Sequence, residues 1–300
     1  MNAESLTDLW LAYHSTVAFI GLNGLLALSV YATLSCGQLS LAQAGFMALG
    51  AYASAILTLH TSAPFALVLA AGALLPALVA VPLGLPVLRL KGVFLAIATI
   101  GFGEMVRIFF VNLDYTNGAL GLVAIPQRTE LWTIYAALAA ALFVLWRIRG
   151  SRAGYALEAI REDEAAARTM GIHASAYKLS MVVLGAALAG LAGALDAHFN
   201  FMVAPANYSF ARVVDMLVYA VVGGTTLFYG PVVGAAFLTL LPEVLREVGG
   251  RVGLQPGPVR LFVNGLVLLL VILFLPNGIS SLPRRVRRWL ASRRSAAHAS

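Results

Sequence analysis

Long apolar runs recur along the whole chain and constrain its fold more than any other feature. Each run has about 18 residues or more, the length that an α-helix needs to cross the hydrocarbon core of a bilayer. The mean hydropathy of the 300 residues is +0.87, and only 11% of them are charged. We therefore predict an all-α polytopic membrane protein with about nine transmembrane helices.

The predicted spans leave little of the chain outside the membrane. They cover residues 16–34, 41–59, 65–88, 92–111, 131–147, 179–199, 211–228, 230–248 and 259–276. Glycine and proline interrupt several of these runs, so the expected number of spans ranges from about eight to ten. We expect one transmembrane domain over residues 1–282, followed by a basic cytoplasmic tail at 283–300.

The basic residues predict the orientation of the chain. They cluster between the third and fourth spans (Arg89 and Lys91), in a charged insert at residues 148–178, and in the tail. With nine spans all three clusters fall on one side, which the positive-inside rule makes cytoplasmic. The N-terminus is then outside and the C-terminus inside. Because these residues lie mostly at helix ends, the net charge of +7 indicates membrane topology rather than nucleic-acid binding.

The charged insert cannot lie in lipid and is expected to project into water. Glu158, Arg161 and Glu162 recur at helical spacing, and the alanines that follow favour a helix. Gly171 is suited to end it in the left-handed conformation. We predict one short amphipathic surface helix between the fifth and sixth spans. It could bind a soluble partner or be a solvated loop helix without one.

Two segments in different halves of the chain are similar in composition, because glycines interrupt both of their apolar runs. Residues 37–55 read GQLSLAQAGFMALGAYASA, and residues 221–236 read VVGGTTLFYGPVVGAA. Paired broken segments in the two halves of a transporter point to its translocation site. Close packing of small residues is the alternative explanation. The predicted path residues are Gln38, Ser40, Gln43, Gly45, Gly50, Tyr52, Thr99, Glu104, Gly223, Gly224 and Thr225.

Ionisable residues within the apolar runs are few. Glu104 and Arg107 are three positions apart in the fourth span, so they share a helix face and can pair. They form either a structural ion pair or a polar wall of the path. Asp196 and His198 come at the end of the sixth span, where solvation at the outer boundary explains them.

The chain has no recognisable catalytic apparatus. It contains no GxxxxGK[ST], GxSxG, HExxH or CxxC motif, and its histidines have no metal-ligand spacing. The single Cys36 excludes an intrachain disulfide. We expect no enzyme activity, no metal and no cofactor bound by this chain.

Several motifs in register resemble the permeases of branched-chain amino-acid ABC importers, and more specifically the LivM-type. The resemblance runs from about residue 20 to residue 278 and is most specific in the loop TNGALGL and in the context AIREDE. The motifs that carry it are GQLSLAQAGFMALGAYASA, FLAIATIGFGEMVRIFF, TNGALGLVAIP, AIREDEAAARTMGI with Lys178, ALAGLAGAL and VVGGTTLFYGPVVGA.

This resemblance implies a multi-pass protein of the bacterial inner membrane that takes up branched-chain or other hydrophobic amino acids. The implied partners are two ABC ATPase subunits that hold ATP and magnesium, a sibling permease forming a heterodimer, and a periplasmic substrate-binding protein. It also implies a cytoplasmic coupling helix that docks the ATPase. The residues carried over to that helix are Arg161, Glu162, Asp163, Glu164, Ala165, Ala166, Ala167 and Gly171.

The match to the family is not complete. Gly171 lies one position late relative to Ala165 and Ala166, which leaves open which side chain docks the ATPase. Related permeases carry urea, short amides or other amino acids, so the substrate has alternatives. Two further alternatives are an ion-coupled transporter that uses Glu104, Arg107 and Asp215, and a channel. Neither of them needs a charged helix that docks an ATPase, so the charged insert favours the importer.

Overall fold

Helices make up almost all of the regular structure in the part of the chain described by the computed structural model, residues 3–90, 92–252 and 265. This confirms the predicted all-α class for those residues. Lys91, the predicted span 259–276 and the tail at 283–300 lie outside the described residues. The helices are α1 (Ala3–Leu34), α2 (Gln43–His60), α3 (Phe65–Val87), α4 (Val93–Val111), α5 (Leu131–Arg149), α6 (Arg152–Glu162), α7 (Glu164–Thr169), α8 (Ala174–Asn200), α9 (Phe210–Gly223) and α10 (Gly230–Val252).

Five of these helices are long and apolar enough to cross a membrane. They are Tyr13–Leu34 of α1, then α3, α4, α5 and α8. Each matches a predicted span, whereas the count of nine stays a prediction. The predicted span 211–228 is too long, because α9 ends at Gly223 and Gly224 has a φ of +92° that a helix cannot continue through. The apolar part of α10 is also short, at Gly230–Glu243.

The centre of the bundle is formed by α1, α2 and α8, with α8 packed against both of the others. α2 is surrounded by protein on most sides, so that even Ser54 and Thr58 are buried within it. A helix shielded in this way has no need of the uniformly apolar surface that lipid requires. This position explains how α2 can hold polar side chains along a predicted span.

Small residues let α3 approach the central helices. The buried positions of α3 are Val68, Gly72, Pro76, Ala80 and Gly84, which recur at every fourth residue and form a single stripe. The remaining faces carry exposed leucines, among them Leu67, Leu74, Leu78 and Leu85. α3 is thus an outer helix of the bundle, with one narrow face on α2 and α8.

The two ends of the bundle differ. One end, here called the insert end, carries α6 and α7 between α5 and α8. At the opposite end, the loops 112–130 and 201–209 are joined by two backbone hydrogen bonds between Leu122 and Val203, of 2.9 and 2.8 Å. Gly121 allows this contact, since its φ is +76° and any Cβ there would overlap the Val203 carbonyl oxygen.

Candidate functional site

The charged insert folds as two helices instead of the one that the sequence predicts. α6 turns Ala156, Leu157 and Ile160 inward, while Tyr155 on another face remains 70% exposed. The polar face predicted from Glu158, Arg161 and Glu162 is exposed. The amphipathic character is therefore confirmed, but the predicted continuity of the helix is wrong.

The break lies at Asp163. Its backbone is extended, with φ −150° and ψ 105°, and its carboxylate accepts hydrogen bonds from the amides of Ala165 and Ala166 at 2.8 and 3.1 Å. Aspartate is among the preferred N-cap residues because it satisfies amides that have no partner inside a helix. Asp163 therefore ends α6 and begins α7, although the residues around it favour a continuous helix.

Gly171 ends α7 as the sequence predicts. Its φ is +81°, its amide donates to the Arg168 carbonyl at 3.0 Å, and the amide of Ile172 donates to the Ala167 carbonyl at 3.1 Å. This pair of bonds is the Schellman motif, in which glycine adopts the left-handed conformation without strain. With a cap at each end, the six-residue α7 has a defined length and position.

Glu164, the first residue of α7, binds two cations. Its Oε1 lies 2.6 Å from Arg168 Nη2 on the next turn, and its Oε2 lies 2.7 Å from Lys178 Nζ in α8. The hydrogen bond from Lys178 is the main reason that the pKa of the Glu164 carboxyl is below its ordinary value, with both positive charges adding to the effect. Glu164 is therefore held in its charged form at the junction of α7 and α8.

A groove at the insert end lies between α6 and the rest of the bundle. It has a volume of about 320 Å³ and is lined by residues of α1, α5, α6 and the α9–α10 turn, including Tyr31, Arg149, Arg161 and Thr225. Arg149 donates a hydrogen bond of 3.3 Å to the Tyr31 hydroxyl. Of the predicted path residues, Thr225 is thus placed beside the charged insert.

The polar residues of the first glycine-interrupted segment are buried near the start of α2. Gln38, Ser40 and Thr99 line a cavity of about 10 Å³, roughly the space of one water molecule. Thr99 also accepts a hydrogen bond of 2.9 Å from the amide of Leu41. Gln43 donates to Thr33 at 3.3 Å. The structure therefore brings Gln38 and Ser40, in the segment between α1 and α2, together with Thr99 of α4.

The glycines of both segments lie at close helix contacts. A Cβ on Gly50 would overlap the Gly190 carbonyl oxygen in α8, and one on Gly45 would lie 3.0 Å from the Gly103 Cα in α4. Gly223 sits against Gly230 and Gly234 at the turn between α9 and α10. These contacts give the glycines a packing role of the kind that small residues have in membrane helices.

Tyr52 packs among aromatic side chains in the interior. Its ring stacks on Phe110 with centroids 3.8 Å apart and lies 6.4 Å from the ring of Tyr208. The side chain is 1% exposed, and its hydroxyl has no hydrogen-bond partner among the described residues. An unsatisfied buried hydroxyl has a free-energy cost, and it marks Tyr52 as a polar group available to a ligand or water.

Glu104 and Arg107 form the ion pair that their spacing predicts. Glu104 Oε2 lies 2.7 Å from Arg107 Nε, and each side chain is about one-third exposed. The other oxygen of Glu104 accepts a hydrogen bond of 3.3 Å from the amide of Phe210, the first residue of α9. The pair therefore joins α4 to α9.

The expectation that solvation explains Asp196 and His198 is wrong. Asp196 is 8% exposed and His198 is fully buried. His198 Nε2 forms a hydrogen bond of 2.8 Å with Thr58 in α2, and Asp196 accepts one of 2.9 Å from Asn200. The physical reason is that the end of α8 packs against α2 instead of emerging into water.

A chain of hydrogen bonds between α9, α1 and α10 was not predicted from the sequence. Arg212 in α9 donates to the side-chain oxygen of Asn23 in α1 at 3.2 Å, and Asn23 donates to Thr239 in α10 at 3.0 Å. Hydrogen bonds between side chains of neighbouring helices stabilise helix association in membranes. The single signal available in the sequence is one asparagine within the first apolar run.

Comparisons with known proteins agree with the motifs of the chain. Residues 13–272 match the family described as "Branched-chain amino acid transport system / permease component". The high-affinity branched-chain amino acid transport system permease protein LivM of Salmonella typhimurium is 32% identical across 88% of this chain and 67% of the relative. LivM of Escherichia coli K12 has the same identity and coverage. No solved structure matches the chain.

Proposed function

Because this chain belongs to the branched-chain amino-acid transport permease family, we infer that it is the LivM-type membrane permease of an ATP-driven importer of branched-chain amino acids. In this proposal the chain takes substrate from a periplasmic binding protein and passes it through the bacterial inner membrane. Two partner ATPase subunits bind and hydrolyse ATP with magnesium, and a sibling permease completes the membrane pore.

The observation that carries the coupling proposal is the geometry of α6 and α7. Two charged helices, of which α7 is capped at both ends, lie together at one end of an apolar bundle, directly before the central helix α8. Met170, at the end of α7, is 83% exposed although its side chain is apolar. A large exposed apolar side chain beside exposed charges suits a protein-binding surface, and we propose that an ATPase subunit covers it.

The proposed orientation places the insert end in the cytoplasm and the N-terminus outside. Arg147, Arg149, Arg152, Arg161 and Arg168 all lie in or next to α6 and α7. Arg89 follows Gly84, which packs against Leu179 at the start of α8, so this arginine belongs to the same end. The accumulation of basic residues there supports a cytoplasmic location.

The proposed path runs beside the central helices, near Gln38, Ser40, Thr99 and Tyr52, with Gly223–Thr225 at the insert end. The lining combines a few buried polar groups with many apolar side chains. Polar groups of this kind suit the charged ends of an amino acid, and apolar walls suit an aliphatic side chain.

The docking of α7 can be tested with matched Ala→Asp variants in the complete reconstituted importer. Ala166→Asp places a charge on the exposed face of α7 and should uncouple ATP hydrolysis from uptake. Ala119→Asp, in the exposed loop at the opposite end, introduces the same charge and should leave coupling unchanged. Unchanged uptake in Ala166→Asp would refute the role of α7.

The substrate class requires a separate experiment. Uptake of labelled leucine with the cognate binding protein should be inhibited by excess isoleucine and valine, whereas urea should have no effect. Inhibition by urea but by neither amino acid would assign the permease to the urea or amide carriers.

A further inference from the structure

The two ion pairs of Glu164 differ in their surroundings. The Arg168 side chain is 57% exposed, whereas the Lys178 side chain is only 12% exposed. Exposed pairs contribute little to stability because water screens them and long side chains lose entropy on pairing. A sheltered pair depends much more on both partners, since removing one leaves the other charge uncompensated. The sheltered pair is the one that connects α7 to α8.

α7 has few other attachments to the bundle. Ala167 is its single buried residue, and it packs in a small cluster with Ile160 and Ala174 that is separate from the main core. Ala174 is the first residue of α8, and Lys178 comes one turn later. Apart from the contact with Ile160 in α6, these contacts lie in the first two turns of α8.

α8 packs tightly against its neighbours α2 and α3. A Cβ on Gly190 would overlap the Gly72 carbonyl oxygen in α3, and one on Gly193 would overlap the Met47 carbonyl oxygen in α2. Backbones this close have little room to slide independently, because packed interiors yield only by moving as units. A displacement at the start of α8 is therefore passed on to α2 and α3.

We propose that the Glu164–Lys178 ion pair is the link through which α7 moves α8. On this view the two residues are positioning residues. Docking of the ATPase needs α7, whereas transfer of its movement to the transmembrane helices needs the ion pair. The proposal rests on the proposed function, in which α7 docks an ATPase subunit.

The test uses the complete importer with its ATPases, sibling permease and binding protein in proteoliposomes. Uptake and ATP hydrolysis are measured on the same vesicles, and ATPase retention is measured by co-purification. Lys178→Met removes the charge at nearly constant length. We expect ATPase retention and hydrolysis to persist while uptake per ATP hydrolysed falls by about tenfold.

Arg89→Met is the matched control, because it removes an exposed positive charge from the same end of the bundle and leaves Glu164 and the proposed docking surface of α6 and α7 intact. Arg89 is not part of the link, so uptake per ATP should remain within about twofold of wild type. A purely structural role of Lys178 would reduce the yield of folded complex without changing this ratio.

A reversible cross-link provides a second, independent readout. Glu164→Cys and Lys178→Cys are combined with Cys36→Ala, and the two new thiols are joined by a short reducible bis-thiosulfonate reagent. We expect the cross-linked importer to regain uptake per ATP and to lose it again when the link is reduced.

The outcomes separate this inference from the proposed function. A wild-type chain that retains no ATPase refutes the proposed function and this inference together. A wild-type importer that couples normally, alongside a Lys178→Met variant with unchanged uptake per ATP, overturns only the link. Loss of ATPase binding in Lys178→Met also overturns it, because the pair would then serve docking.

Discussion

The Glu104 carboxylate lies 3.3 Å from the backbone nitrogen of Phe210, which begins α9 more than 100 residues further along the chain. The second carboxylate oxygen lies 2.7 Å from Arg107 Nε. The single carboxylate of Glu104 therefore forms an ion pair with a guanidinium and accepts a hydrogen bond from the first amide of α9. A negative charge at the start of a helix is favoured by the aligned peptide dipoles. Glu104, near the middle of the candidate span α4, is thereby paired at a position where an unsatisfied charge would be costly.

Glu104→Gln should destabilise the protein more than the change in size suggests. The glutamine oxygen can still accept from Phe210, but Arg107 loses its counter-charge, at a cost of about 2 kcal/mol for a pair that is one-third exposed and partly screened by solvent. Thermal unfolding of the detergent-purified protein measures the loss. The double variant Glu104→Gln with Arg107→Gln should be more stable than Glu104→Gln alone, and losses that simply add would contradict pairing.

The same variants address transport. If Glu104 also lines the path, the double variant should assemble with its partners and yet remain inactive in uptake. Recovery of uptake in the double variant would limit Glu104 to a structural role.

Gly50→Ala should separate α2 from α8, because the new Cβ would overlap the Gly190 carbonyl oxygen, which belongs to the backbone and cannot rotate away. Forcing atoms into a packed core costs about 1–3 kcal/mol. Gly101→Ala in α4 is the matched control, since no atom lies within 4 Å of its Cβ position. We expect Gly101→Ala to be neutral or stabilising in the same unfolding experiment, and equal losses in both variants would contradict the packing explanation.

The sequence predicts features that depend on local chemistry better than those that depend on distant contacts. Gly171 was predictable because few residues other than glycine tolerate a φ of +81° at a helix end. The spacing of Glu104 and Arg107 was sufficient to predict their pairing. In contrast, the alanine-rich residues around Asp163 favour a continuous helix. The helix is nevertheless interrupted, because the Asp163 carboxylate accepts hydrogen bonds from the first amides of α7.

Burial of the end of α8 could not be predicted in the same way. Asp196 and His198 lie just before a loop, a position that usually means solvation. His198 is buried beside Thr58 of α2, a hydrogen-bond partner 140 residues earlier, and Asp196 is buried with Asn200 as its donor. The pairing depends on how the helices are arranged, which the hydropathy of a single run does not encode.

Asp163→Ala should join α6 and α7 into one longer helix. The substitution removes two side-chain hydrogen bonds to amides and replaces an extended residue by a strong helix former. Loss of an N-cap costs about 1 kcal/mol, and the continuous helix would also move Glu164 away from Lys178. Spin labels at Tyr155→Cys and Met170→Cys should report the changed distance between the two exposed positions. Glu162→Ala, at the neighbouring exposed position, should leave that distance as in the wild type.

The topology can be tested with cysteines at positions that the structure shows to be exposed. Met170 at the end of α7 is 83% exposed and Leu120 in the loop 112–130 is 79% exposed, whereas Ile160 is buried and would report poorly. The native Cys36 is 1% exposed, so it should contribute little background labelling.

A membrane-impermeant thiol reagent added to intact cells should label Leu120→Cys and not Met170→Cys. In cells that lack the ATPase subunits, Met170→Cys should react once the membrane is permeabilised, because its side chain is then uncovered at the proposed cytoplasmic end. Labelling of Met170→Cys in intact cells, with protection of Leu120→Cys, would reverse the orientation and place α7 out of reach of a cytoplasmic ATPase.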